Sequence, residues 1–165
     1  MRNLLLISIA ILSGLVGLAQ AKKIMVVKAG KLVDTENGKV LDNQLILIEN
    51  DTIRAVGSSV AIPKEATVID LSKATVLPGL IDCHTHVTTE PGGDYYENIF
   101  RKTPIDQAIE AHIYARRTLE AGFTTIRDVG SAAFMDVALK NAINDGKIPG
   151  PRMVCATLFI GSTGS

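Results

Sequence analysis

Two histidines stand two residues apart in the stretch from Leu77 to Val87, LPGLIDCHTHV. Side chains alternate across a strand, so residues at i and i+2 share a face. If this apolar run is a strand, His84 and His86 converge on one point at its C-terminal end, and Cys83 and Thr85 point the other way. In α/β architectures that end of the strands is where ligands bind. Neutral imidazole is a common ligand for zinc and related ions, and such sites use at least three protein ligands. Asp82 shares the histidines' parity one step deeper, where it could orient a ring or fill the interior. Taken alone, His-x-His reads more readily as two polar residues at a strand end with no metal.

The elements that would position these residues are legible in outline. From Lys23 to about Leu77 the sequence reads as short strands and turns with no helical period. KIMVVKAG is an apolar run ending in Gly30. NQLILIEN and TIRAVGS flank Asn50-Asp51 as a hairpin, and ATVIDL and ATVL follow around Leu71-Ser72-Lys73. The character changes at Pro78-Gly79. GLIDCHTH reads as a strand buried on both faces, followed by a long loop with a short helix at Tyr95 to Arg101. Thr103-Pro104-Ile105-Asp106 is a helix start, with Thr as N-cap, Pro at the first helical position and Asp in the first turn. Ile105, Ala108, Ile109, Ile113 and Leu119 form its apolar stripe, and Gly122 ends it. FTTIRDVG is a second strand. A second helix follows, with Phe134, Val137, Ala138 and Ile143 inward and Gly146 as its stop. PRMVCATLFI is a third strand. Strand, helix, strand, helix, strand calls for a parallel sheet with crossover helices.

VLPGLIDCHTHV after a β-rich segment resembles the amidohydrolase superfamily of metal-dependent hydrolases. ARRTLEAGFTTIRDVG followed by GKIPGPRM is similar to its imidazolonepropionase-like and prolidase-like branch. The resemblance implies an α/β fold: the N-terminal part of a β-sandwich over residues 22–76, then the first three βα units of a (β/α)8 barrel over 77–165. It implies that His84 and His86 are the first two ligands of a divalent metal site holding one or two ions, with zinc the expected metal. The implied reaction is hydrolysis of a C–N bond in a small amide, cyclic amide or dipeptide by metal-activated water. The family's bridging Lys or Glu, two further His and the Asp that handles the proton lie on later strands. No catalytic residue is therefore expected within these 165 residues, which read as the N-terminal part of a longer protein, inactive by themselves. Two other readings stay open: a metal-free barrel kept as a binding scaffold, and a non-functional truncation.

Residues 1–21, MRNLLLISIAILSGLVGLAQA, read as a signal peptide: Arg2, an apolar segment, then Ala19-Gln20-Ala21 as a small-x-small cleavage site. The expectation is an exported protein, periplasmic or secreted, with no stable membrane span after cleavage. No Cys follows the apolar segment to carry a lipid. Charge is balanced, with 17 Lys+Arg against 17 Asp+Glu, and aromatics make up 4%. That argues against nucleic acid as a partner; the resemblance implies a small-molecule or dipeptide substrate, and oligomeric state is open. Cys83 and Cys155 fall on the first and third strands and are not expected to pair. Cys83 is expected to face the helices. His112 reads as a helix-surface residue, Lys140 and Lys147 as helix residues unsuited to bridging metals. Arg127 and Asp128 read as a structural ion pair at the sheet's ligand-binding end. Gly161 and Gly164 resemble a phosphate loop only superficially, with no Lys following.

Overall fold

The computed structural model describes residues 22–90 and 94–162; the expected signal peptide, residues 91–93 and Gly164 lie outside them. The chain divides into two compact units, one ending at Leu77 and one starting at Pro78.

The first unit is a four-stranded sheet of β1 (Ile24–Asp34), β2 (Lys39–Glu49), β3 (Thr52–Gly57) and β4 (Thr67–Val76), in the order β3-β2-β1-β4. β1, β2 and β3 pair antiparallel, and β4 joins β1 in parallel. Asn50-Asp51 closes the expected hairpin, with Asn50 at a φ of 58°, a left-handed conformation that Asn tolerates better than most residues. Two expectations need correction. β1 does not end at Gly30 but runs through it. ATVIDL and ATVL are one strand rather than two: pairing passes from Ala29↔Leu71 to Lys31↔Thr75, so the Ser72 region bulges out opposite Gly30. A Cβ at Gly30 would lie 2.1 Å from the Ser72 carbonyl oxygen, so glycine is what lets the bulge approach β1. Val26, Ala29 and Ile46 are buried on this sheet.

The second unit is a parallel sheet of β5 (Leu80–Thr85), β6 (Phe123–Asp128) and β7 (Arg152–Cys155), in that order. α1 (Tyr95–Phe100) and α2 (Pro104–Glu120) connect β5 to β6, and α3 (Met135–Asn144) connects β6 to β7. Thr103 caps α2 in a reciprocal box with Asp106, whose carboxyl is held below its usual range by hydrogen bonds from Thr103. The core consists of Val87, Ala111, Ala115, Ile126, Leu139 and Met153, with Tyr114, Phe123, Ile143, Ile148 and Cys155 packed against it.

This core corrects the expected helix faces. α2 turns Ala111 and Ala115 to the sheet, while Ile105 is 71% and Ile109 63% exposed. Small side chains allow close approach of helix and strand, and the isoleucine stripe is rotated away from that contact. In α3 the buried residues are Met135, Asp136 and Leu139; Phe134 is exposed and forms the N-cap at a φ of 55°. Ala138 is exposed as well, whereas Ile143 packs inward as expected. Gly146, at a φ of 68°, follows α3 as the expected stop. β5 is not buried on both faces: Leu80 is 45% and Ile81 65% exposed.

These exposures give a direct contrast. Ile126→Ala should destabilise the second unit by about 2–5 kcal/mol through the cavity it leaves, whereas Ile105→Ala should change stability by no more than about 0.5 kcal/mol. Denaturant unfolding of both variants checks the assignment, and equal losses would restore the isoleucine stripe as the buried face.

Candidate metal centre

The two histidines meet at the C-terminal end of β5. His84 lies on the strand, and His86 lies just beyond its last residue. Their ring centroids are 5.6 Å apart at an interplanar angle of 75°. His86 Nδ1 lies 2.9 Å from the Gly130 carbonyl oxygen. A carbonyl can only accept, so Nδ1 carries the proton, and Nε2 is the nitrogen left to meet a metal. This is the tautomer in which ligating histidines are usually held, one nitrogen tied to a carbonyl and the other free for a metal. His84 is exposed and open to a ligand. Among the described residues no cluster of three or more His, Cys, Asp or Glu forms a metal site. The donor set fits a metal in kind, and the pair supplies two of the three or more protein ligands such a site uses.

Register explains why Asp82 does not behave as its parity suggests. Pairing slips between Asp82↔Ile126 and Thr85↔Asp128, three steps of β5 against two of β6. This bulge breaks the alternation ahead of the histidines. Asp82 Oδ1 accepts the His84 backbone N–H at 2.9 Å, so the carboxylate holds the bulged backbone and not a ring. The same irregularity leaves Cys83 exposed instead of facing the helices.

Asp128, at the end of β6, is fully buried. Its Oδ2 accepts the Val87 N–H at 2.7 Å and its Oδ1 the Gly130 N–H at 3.2 Å. Burial pushes its carboxyl above the usual range, opposed by those two hydrogen bonds; Asp136 adds to the rise and His86 opposes it. The expected ion pair with Arg127 is not formed. Consecutive strand residues face opposite ways, and Arg127 is exposed while Asp128 is buried.

Further bonds join the loops at this end of the sheet. Val129 N–H donates to the Thr85 carbonyl, and Ala156 N–H to the Asp128 carbonyl, both at 2.9 Å. The hydroxyls of Thr88 and Ser131, both buried, are 3.0 Å apart. Ser131 N–H donates to the Thr157 carbonyl at 2.6 Å. Asp136, also fully buried, accepts the Thr157 N–H at 3.0 Å. Phe159 stacks on His86 with centroids 5.4 Å apart, and its ring occupies the space where a Cβ on Gly130 would fall.

Sequence reasoning missed Gly130, Thr88, Ser131, Asp136, Thr157 and Phe159, and misassigned Asp128. One signal was available for Asp128: it has the parity of Ile126 in an apolar strand, which marks a buried carboxylate. The others depend on loop conformations, such as the φ of 69° at Thr157, that no periodicity reports.

A cleft of about 420 Å³ opens beside the pair, lined by His84, His86, Glu90, Tyr114, Arg117 and Thr118 among others. Arg117 reaches Glu90 at 3.1 Å across its mouth. His112 is exposed, with Nδ1 on the Ile109 carbonyl of its own helix. Lys147 pairs with Asp145 at 2.9 Å. Tyr96 packs against Phe100 within α1, the rings tilted by 39°.

Residues 75–163 match the amidohydrolase family, and the chain belongs to that family. It is similar to a dihydroorotase of Geobacter sulfurreducens, 40% identical over 81 residues that cover 48% of this chain and 18% of the relative. It is also similar to the ochratoxinase of Aspergillus niger, 32% identical over 149 residues covering 86% of this chain and 29% of that enzyme. A solved Xaa-Pro dipeptidase with bound methionine in its active site superimposes with a TM-score of 0.76 at 33% identity, over 87% of this chain and 35% of that one. The chain thus spans between about a fifth and a third of the length of these proteins. The mixed α/β fold and the prolidase-like branch agree with these relationships.

Cys83 and Cys155 are both free. Burial pushes the Cys155 thiol up to about 11, and the charge of Asp136 adds to the rise. At pH 8 Cys155 is therefore held overwhelmingly as the thiol. Iodoacetamide should modify exposed Cys83 and leave Cys155 unmodified until the protein unfolds. Peptide mass spectrometry checks this, and equal labelling of the two in the native protein would contradict the packing of Cys155.

Proposed function

We propose that this chain is the N-terminal part of an exported, metal-dependent hydrolase of C–N bonds, acting on a small amide, cyclic amide or dipeptide. In this reading residues 22–76 contribute to a β-sandwich, and residues 77–165 are the first three βα units of a (β/α)8 barrel. The carrying observation is the His84–His86 pair, rings adjacent and the His86 proton fixed on Nδ1 by the Gly130 carbonyl. The ochratoxinase and the Xaa-Pro dipeptidase, each aligned over most of this chain, support the reaction class.

His84 and His86 would hold one divalent ion, zinc by preference, through their remaining nitrogens. When bound, such an ion lowers the pKa of water toward neutrality and polarises a carbonyl. The chain's own contribution is to fix the ring proton, orient the two imidazoles and line one side of the cleft with Tyr114, Arg117 and Glu90. Further ligands and the carboxylate that moves the proton belong to later strands.

The test uses the protein expressed from its complete reading frame. His84→Ala and His86→Ala should each lower bound zinc, read by elemental analysis, and reduce kcat/KM on a dipeptide and N-acyl amide panel at least about 100-fold. Unchanged zinc content and turnover in both variants would overturn the assignment.

Export is the remaining part of the proposal. Its support is the N-terminal charge, apolar segment and Ala-x-Ala site; among the described residues no helix is long and apolar enough to cross a membrane. The mature protein should begin at Lys22 by N-terminal sequencing of the exported fraction. A retained Met1 in a cytoplasmic fraction would refute cleavage.

A further inference from the structure

The second unit buries a carboxylate that the proposed chemistry does not use. Asp128 is fully buried and has no cationic partner among the described residues; both of its oxygens are taken by backbone N–H groups. Those groups come from two different loops, and each sits next to a partner in one hydrogen bond. Val87 N–H belongs to the peptide that directly follows His86. Gly130 N–H belongs to the residue whose carbonyl receives the His86 ring proton. One side chain therefore grips the backbone that carries the imidazole and the backbone that carries its acceptor. The Phe159 ring closes over the same two residues, stacked on His86 and seated against Gly130.

We infer that Asp128 is a positioning residue for His86: its carboxylate sets the separation of the β5 and β6 loops at which His86 Nδ1 meets the Gly130 carbonyl, and so presents Nε2 to a metal. The inference rests on the metal-binding reading of His84 and His86. A carboxylate is suited to this task because both oxygens accept. Asn at the same place could accept one N–H and would turn an amide N–H against the other. Ligand-orienting groups of this kind typically change metal affinity by about 10–100-fold when removed. Asp145, an exposed carboxylate at the end of α3 paired with Lys147 at 2.9 Å, provides a control outside this arrangement.

The experiment is a double-mutant cycle on zinc affinity in the complete protein, with Asp128→Asn, His86→Ala, the double variant and Asp145→Asn. Asp128→Asn should weaken zinc binding about 10–100-fold beside native His86 and less than about threefold in the His86→Ala background. Asp145→Asn, at an exposed carboxylate paired with Lys147, should stay near wild type. Selective 15N-histidine labelling should show His86 as a single Nδ1–H tautomer in the metal-free wild type and a mixture in Asp128→Asn. An equal effect of Asp128→Asn with and without His86, or none at all, overturns the positioning role. If His86→Ala itself leaves zinc affinity unchanged, the metal reading fails instead. Should Asp128→Asn not fold, the wild type decides: zinc should slow amide exchange at Val87 and Gly130 by about tenfold or more relative to Val137, and unchanged protection would refute the coupling.

Discussion

The carboxylate of Asp128 is the constraint on which the C-terminal end of the sheet depends. A charged group with no exposed surface is costly to bury unless its lone pairs are satisfied. Here backbone N–H groups from two loops satisfy them. The cost of burial and the geometry of the site are therefore one fact: if the loops separate, the carboxylate loses its partners. Asp136, on α3, is a second buried carboxylate satisfied by backbone, accepting Thr157 N–H while Thr157 accepts Ser131 N–H. All buried side-chain nitrogens and oxygens among the described residues have a partner, which is what gives such a network a unique arrangement.

The histidine pair follows from that frame. The strand delivers both rings to one end, but spacing alone leaves ring rotation and tautomer undefined. The Gly130 carbonyl defines them for His86, and Phe159 restricts the ring from its face. Gly130 can stand there because it lacks a Cβ that would collide with Phe159. The helices contribute from outside the strands, with Tyr114 and Arg117 of α2 lining the cleft and Asp136 of α3 holding Thr157. They supply the apolar layer under the strands, with Ala111 and Ala115 allowing α2 to lie close to Ile126 and Met153.

Much of this was legible in the sequence. The hairpin at Asn50-Asp51, the Thr103 cap of α2, the parallel order of the strands and the closeness of His84 to His86 all follow from local rules. What failed did so for identifiable physical reasons. Alternation misplaced Asp82 and Cys83 because β5 carries a bulge, and bulges leave no mark in hydrophobic pattern. The isoleucine stripe of α2 was assigned inward because periodicity reports an apolar face, not which face a tight helix–sheet contact selects. Arg127-Asp128 suggested an ion pair by adjacency, although strand geometry sends neighbours to opposite sides. The buried loop network has no periodic signature at all, since its partners are backbone groups brought together by tertiary structure.

The central claim is that His84 and His86 ligate one ion. X-ray absorption at the zinc edge of the complete protein reads this directly, because imidazole ligands leave a multiple-scattering pattern distinct from carboxylate or water. Joint ligation predicts at least two imidazoles per ion in the wild type and a lower imidazole count in both His84→Ala and His86→Ala. A wild-type spectrum without histidine scattering, or one unchanged by both substitutions, would contradict it.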